Sequence, residues 1–378
     1  MMSTLEIINV IVIPTLLYAT YFIIRGWWLK GREVSEEVDW RSVLFILPVK
    51  DPPKSLPESI RALSRISPES KLVISYEGEK PSVPMDMDIE FIEARNIEGY
   101  TGKISNLVSA LKKVDLDKFK YIVFIDDDII PNITWITSLI SEASVRGVAT
   151  GYRVYRPKGL AGIFLSLWSL YSLDTMLSEK TRIVWGGSAA FNRETLDVQH
   201  LFKMWRGAVS DDVAYTYYVR NCLKRVIGFN HNSLVENIGY DRLSEAIRFV
   251  VRQQRIVYWY GRSLWLTGVA YHLYIWIVTL TSILNIFITT TTGPLLQILT
   301  LLIYLSYGVR IWFRAAHSSN IIGLSIWDRV KVSLVSPLIL LIQLPLLLSS
   351  IGDTIRWRGR MYRLPRIEDL EGYCIESA

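Results

Sequence analysis

Cysteine is scarce: the 378-residue chain holds two, Cys222 and Cys374. So few, so far apart, they supply neither a disulfide framework nor a zinc site, as expected of a domain on the reducing, cytoplasmic side of a membrane. Also lacking is the positive charge that a secretory signal places ahead of its apolar stretch. The uncharged run Ile7 to Ile24 follows Glu6 and precedes Arg25, Lys30 and Arg32, so an uncleaved anchor with its N-terminus outside is expected. No recognisable nucleic-acid module accompanies the net charge of +6, so no nucleic-acid partner is expected. Basic clusters beside apolar runs suit an anionic lipid leaflet instead.

Half of the residues are hydrophobic (50%) while 21% are charged, so the apolar residues must be gathered into segments. The first, Ile7 to Ile24, is about long enough to cross a bilayer core of ~30 Å. A polar, domain-sized stretch follows, from about Arg32 to Arg262. Then come Leu264 to Thr289, Leu295 to Trp312 and Val332 to Ile351, with Trp and Tyr near their ends, where an interfacial belt wants them. Pro337 and Pro345 divide the last run and permit a broken or re-entrant hairpin. Arg356, Arg358, Arg360, Arg363 and Arg366 argue for a tail on the cytoplasmic side. The expected organisation is an anchor at 1–31, an α/β domain at 32–239, an interface helix at 240–262, a membrane region at 263–352 with two spans plus a third span or re-entrant hairpin, and a basic tail at 353–378.

Within the polar stretch, strand-like and helix-like runs alternate. Ser42 to Val49 reads as a strand, Leu56, Ile60, Leu63 and Ile66 fall at helical spacing, and Lys71 to Ser75 reads as a second strand. Ile104, Leu107, Val108 and Leu111 mark one face of a helix, and Asn132 has the character of an N-cap. This alternation implies a mostly parallel sheet with a ligand site at the carboxyl ends of its strands. Asp126, Asp127 and Asp128 stand on such an edge, after the apolar run Tyr121 to Ile125. Three carboxylates there repel one another, and an oxygen-only set suits Mg²⁺ or Mn²⁺ holding a phosphate. Downstream, Trp185-Gly186-Gly187-Ser188 offers paired glycines that let a backbone or ligand come close. In Ser210-Asp211-Asp212 the plain reading of Asp211 is a helix cap, which leaves Asp212 unexplained. Asp241 to Tyr260 interleaves apolar residues with Arg242, Arg248, Arg252 and Arg255, the pattern of an amphipathic helix lying in the interface.

Together these motifs resemble a membrane-bound family 2 glycosyltransferase of the GT-A fold, closest to the ceramide glucosyltransferase-like group. The resemblance runs through Leu47-Pro-Val-Lys-Asp51-Pro-Pro, Lys103-Ile-Ser-Asn106-Leu, Asp126-Asp-Asp128, Trp185-Gly-Gly-Ser188, Ser210-Asp-Asp212 and Trp357-Arg-Gly-Arg-Met-Tyr-Arg363. It implies a Rossmann-like mixed sheet joined to transmembrane helices. Asp126 and Asp128 would hold the cation on a nucleotide-sugar diphosphate, Asp212 would be the base and Asp211 the acid that precedes it. Asp51 and Lys103 would lie by the nucleotide, Trp185, Gly186, Gly187 and Ser188 by the sugar and acceptor, and Asn106 among the substrate-binding residues.

Two departures matter. The family's (Gln/Arg)-x-x-Arg-Trp pattern maps to Arg252-Gln-Gln-Arg255-Ile256, so its stacking Trp is absent or supplied by Trp259, while Arg255 keeps its place facing the diphosphate. The carboxylate expected after the second strand is offered only as Glu77. The implied activity is inverting transfer of a hexose, glucose favoured, from a nucleotide sugar (a UDP-sugar foremost) to a membrane-lipid hydroxyl at the cytoplasmic leaflet. The competing readings are a polyprenyl-phosphate acceptor, a polysaccharide synthase, and a non-catalytic membrane scaffold that binds nucleotide sugars.

Overall fold

The chain is described by a computed structural model covering residues 37–84, 86–287, 293–357 and 359–374. The expected anchor, Ile7 to Ile24, lies outside the described residues. The strands are β1 Val43–Lys50, β2 Lys71–Glu77, β3 Asp88–Glu93, β4 Tyr121–Ile125, β5 Ile129–Ile130, β6 Val148–Thr150, β7 Tyr152–Val154, β8 Ser188–Asn192, β9 Leu234–Asn237, β10 Thr354–Trp357 and β11 Arg360–Arg363. The helices are α1 Leu56–Ile66, α2 Gly102–Lys113, α3 Ile133–Arg146, α4 Gly159–Ser172, α5 Asp174–Leu177, α6 Val198–Trp205, α7 Asp211–Tyr217, α8 Leu243–Tyr260, α9 Arg262–Phe287, α10 Gly293–Ile322, α11 Ile326–Val335 and α12 Pro337–Ser349.

Strand β1 shows why the sheet forms. Its side chains alternate between two layers: Leu44 and Ile46 enter one buried cluster with Ile104 and Leu107 of α2, while Val43, Phe45 and Leu47 enter another with Ile60 of α1 and Leu139 of α3. A strand covered on both faces carries a continuous apolar run, as this one does. The sheet order is β3-β2-β1-β4-β8-β6. β1, β2, β3 and β4 are parallel, and β8 joins antiparallel to both β4 and β6. The sheet is therefore mixed and Rossmann-like, accompanied by long apolar helices, as expected. A small second sheet, β5-β9-β7, stands beside it. Asn132 caps α3 as its type suggested, its side chain accepting from the N–H of Trp135 at 2.8 Å.

The chain divides into two compact units. One comprises Arg156–Tyr171 and Tyr240–Asp353; the other comprises 37–155, Ser172–Gly239 and 354–374. Compared with the expected boundaries, α4 leaves the α/β unit and the basic tail joins it. Three described helical segments are long and apolar enough to cross a membrane: Gly159–Leu177, Arg262–Phe287 and Pro294–Ile322. The first was missed in sequence, and 61% of its apolar window is buried within the protein. The last apolar run becomes α11 and α12, bent by 58° at Pro337 as suggested, whereas α12 continues through Pro345 without a break.

The cysteines require a correction. Cys222 and Cys374 were expected to stand apart, yet they form a disulfide across 152 residues, with Cα atoms 5.6 Å apart. The tail folds back over the α/β unit, burying Leu364 and Leu370 and laying Tyr373 on Tyr217, and so carries Cys374 to Cys222.

Candidate active site

Strand β4 is buried throughout and ends at the three aspartates. Asp127 turns inward and is buried, while Asp126 and Asp128 stay partly exposed. Strand β9 holds Asp128 in place. Asn237 donates from Nδ2 to Asp128 Oδ1 at 2.8 Å, and the N–H of Ile238 donates to the Asp128 carbonyl at 2.7 Å.

Lys103, in the first turn of α2, joins two carboxylate groups. Its Nζ lies 2.7 Å from Asp126 Oδ1 and 2.7 Å from Asp211 Oδ2. Burial works against the ammonium charge, but Asp126, Asp211 and Asp212 outweigh it and hold the lysine protonated well above its ordinary range.

The aspartate pair opens α7. Asp211 is not the cap that its position suggested: the Ser210 hydroxyl accepts from the N–H of Val213, so Ser210 is the N-cap and both carboxylates are released for other partners. Asp211 goes to Lys103. Asp212 Oδ1 accepts the Gly186 N–H at 2.6 Å. Burial and then the Asp211 charge push the Asp212 carboxyl up, against the pull of Lys103, Arg153 and the Gly186 N–H, to about 7. The paired glycines follow from this crowding. A β-carbon on Gly186 would strike the carboxylate of Asp211, and one on Gly187 would strike Asp126 and the Trp185 ring.

The aspartates at the end of β4 fit a divalent cation by their own chemistry. Burial, then the charges of Asp126 and Asp127, push the Asp128 carboxyl up to about 7. A hard cation relieves that repulsion, and an all-oxygen set suits Mg²⁺ or Mn²⁺.

No protein-family model and no curated protein matches the chain. Among solved structures it is similar to a mannosyltransferase from Pyrobaculum calidifontis in complex with GDP-Man and Mn²⁺, at 13% identity, covering 89% of this chain and 93% of that one, with a TM-score of 0.47. It is also similar to a glucosyl-3-phosphoglycerate synthase from Mycobacterium tuberculosis in complex with Mn²⁺, uridine diphosphate and glucosyl-3-phosphoglycerate, at 14% identity, covering 56% of this chain and 78% of that one, with a TM-score of 0.33. These scores mark a distant likeness of outline.

Of the residues singled out in sequence, Lys103, Asp126, Asp128, Asp211, Asp212, Gly186 and Gly187 come together. Three others have different work. Asn106 is buried, and its amide donates to the carbonyls of Val49 and Ser75 at 3.0 and 3.3 Å, so it ties the ends of β1 and β2 and is not aimed at a substrate. Trp185 is 1% exposed and packs in the core, where a sugar does not reach. The Ser188 hydroxyl is buried and accepts from Trp135 Nε1 at 2.7 Å. At the outer strand ends, Asp51 adopts φ of 52° and is exposed, and Glu77 pairs with Lys50 at 2.9 Å. Arg252 and Arg255 belong to the other unit. There Arg252 stacks on Phe249, and Arg255 donates to the carbonyls of Ser350 and Ser349 at 3.1 and 2.9 Å.

Two members of the site escaped the sequence reading. Arg153 of β7 is buried, stands 4.9 Å over the Trp185 ring, and interacts electrostatically with Asp212 and Asp126. Asn237 of β9 holds Asp128. The signal for Arg153 was a lone cation inside the run Tyr152 to Tyr155, since a buried charge requires partners.

Proposed function

We propose that the chain is a membrane-bound, metal-dependent glycosyltransferase of the GT-A fold. It transfers a hexose, glucose foremost, from a nucleotide sugar to the hydroxyl of a membrane lipid with inversion. One observation carries this reading: the Lys103 ammonium ties Asp126 to Asp211, so the metal-type carboxylates and the pair containing the base form a single charged cluster.

The roles follow from this geometry. Asp126 and Asp128 would hold Mg²⁺ or Mn²⁺, which supplies charge stabilisation to the departing diphosphate. Asp212 takes the proton of the acceptor hydroxyl. As it does so, the hydroxyl oxygen forms its bond to the anomeric carbon, and the bond to the diphosphate oxygen breaks with its electron pair leaving on that oxygen. An ordinary carboxylate is a weak base, and burial beside Asp211 raises the proton affinity of Asp212 toward neutrality, where general-base action is efficient. A phosphate acceptor needs no such base, which favours a hydroxyl over a polyprenyl phosphate. Lys103 and Arg153 set the field around Asp126 and Asp212.

The apolar helices supply the route to a lipid. The α/β unit contains both 172–239 and 354–374, so the chain leaves it at Tyr240 and returns at Thr354. An even number of crossings is required. α9 and α10 provide two, and the bent pair α11 and α12 then enters and returns on one side. By the same count α4, which leaves and rejoins that unit between Tyr155 and Ser172, does not cross. The basic tail favours the cytoplasmic side for the unit. Incubating the purified chain with several labelled nucleotide sugars, Mn²⁺ and total host lipids, with mass analysis of the product, tests the reading: a hexosylated lipid is expected, and label confined to free sugar or unreacted donor contradicts it.

A further inference from the structure

The motif Trp357 to Arg363 has no role in the chemistry above. Its residues form the hairpin β10-β11, in which Trp357 pairs with Arg360 and Ile355 with Tyr362. Alternate residues of a strand share a face, so these four side chains lie together. Ile355 is buried, whereas Arg356, Met361 and Arg363 on the opposite face are exposed. The Ile355 face is therefore turned toward the body of the α/β unit.

On that face Arg360 approaches Glu77, at the end of β2, to 3.6 Å. The Tyr362 hydroxyl lies 3.7 Å from where a β-carbon on Gly102 would stand, one residue before Lys103. Thus the hairpin stands at the carboxyl end of β2, whose Glu77 pairs in register with Lys50 at the end of β1, and next to the lysine that reaches the Asp126 carboxylate. Ligands of open α/β sheets enter at this edge. The Arg360 contact is hard to explain as structural. Glu77 already has Lys50 at 2.9 Å, and both Arg360 and Glu77 are substantially exposed, so the pair contributes little to stability. A guanidinium, a phenol and a half-buried indole on one face make a surface suited to phosphate, ribose hydroxyl and planar base.

We propose that this carboxy-terminal hairpin is a wall of the donor site, with Arg360 and Tyr362 contacting the nucleoside diphosphate. The proposal rests on the glycosyltransferase reading. The wall is held ready before ligand arrives: Leu364 and Leu370 are buried, Tyr373 stacks on Tyr217, and the Cys222–Cys374 bond fastens the end of the segment.

Equilibrium binding of UDP and of GDP, each with Mn²⁺, to the full chain in detergent provides the test and requires no acceptor. Arg360→Ala is expected to weaken the preferred nucleotide about tenfold or more, the weight of a charge-assisted hydrogen bond, with Arg360→Lys partly restoring it and Tyr362→Phe showing a smaller loss. Arg356→Ala, on the opposite face, should bind as the parent does. Melting temperatures measured without nucleotide should stay level across the set, separating loss of contact from loss of the hairpin. Unchanged affinity in both Arg360→Ala and Tyr362→Phe overturns the proposal and leaves the glycosyltransferase reading standing. If the parent chain binds neither nucleotide, both fall together.

Discussion

Asp212 is the residue on which the proposed chemistry turns. Asp212→Asn keeps the size of the side chain and removes the base, so turnover is expected to fall by about 10²–10⁴-fold while nucleotide affinity, measured calorimetrically, changes little. The raised carboxyl also fixes a pH dependence. Asp212 must be ionised to accept a proton, so turnover should decline as pH drops through about 7, and a rate profile flat down to pH 5 would contradict the assignment. The stability consequence has the opposite sense. The folded chain keeps this proton up to about 7, whereas an unfolded Asp loses it near ~3.9, so the group's contribution to stability diminishes as pH rises between those values. Gly186→Ala drives a methyl into the Asp211 and Asp212 carboxylates, and an inactive variant with an unchanged far-UV spectrum is expected. The acidic members of the site were legible because carboxylates massed at a strand end, or doubled at a helix start, repel one another and so call for a cation or a proton. Trp185, Ser188 and Asn106 lie within the same motifs but face inward, and local sequence does not say which way a side chain points. Arg153 and Asn237 come from β7 and β9, whose pairing brings distant segments beside the aspartates and leaves no periodic trace in either segment.

At the scale of elements, strongly patterned segments were readable and those defined by long-range contact were not. β1 declares itself through a continuous apolar run, and α1, α2 and α8 through helical spacing. The tail does not, since five arginines on a short segment read equally well as a lipid-facing cluster. Long-range contacts reveal that it is folded onto the α/β unit, among them buried Ile355, Leu364 and Leu370, the stacked Tyr373 and the disulfide. The disulfide closes a very long loop, and removing such a link costs about 2–5 kcal/mol in typical cases. Cys222→Ser is therefore expected to lower the melting temperature and to increase proteolysis near residues 354–374, measured by limited digestion under non-reducing conditions. Equal digestion of parent and variant would show that the tail is held by packing alone.

For the whole molecule, residues 354–374 share a unit with 172–239, so the proposed arrangement puts the tail and the aspartate cluster on the same side of the membrane. Labelling of single cysteines introduced at Glu194 and Glu368, in a background lacking Cys222 and Cys374, should show both accessible from one face of sealed vesicles. Accessibility from opposite faces would remove the even count of crossings. The central claim is that one cluster, joined by Lys103, both holds a diphosphate and activates a lipid hydroxyl. Its most direct measurement is release of nucleoside diphosphate from nucleotide sugars in the presence of Mn²⁺ and a lipid extract, comparing the parent chain with Asp126→Asn and Asp212→Asn. The account predicts lipid-dependent release by the parent, abolished by chelation, and near-complete loss in both variants. Release that continues undiminished in Asp212→Asn, or the same release without lipid, would contradict it.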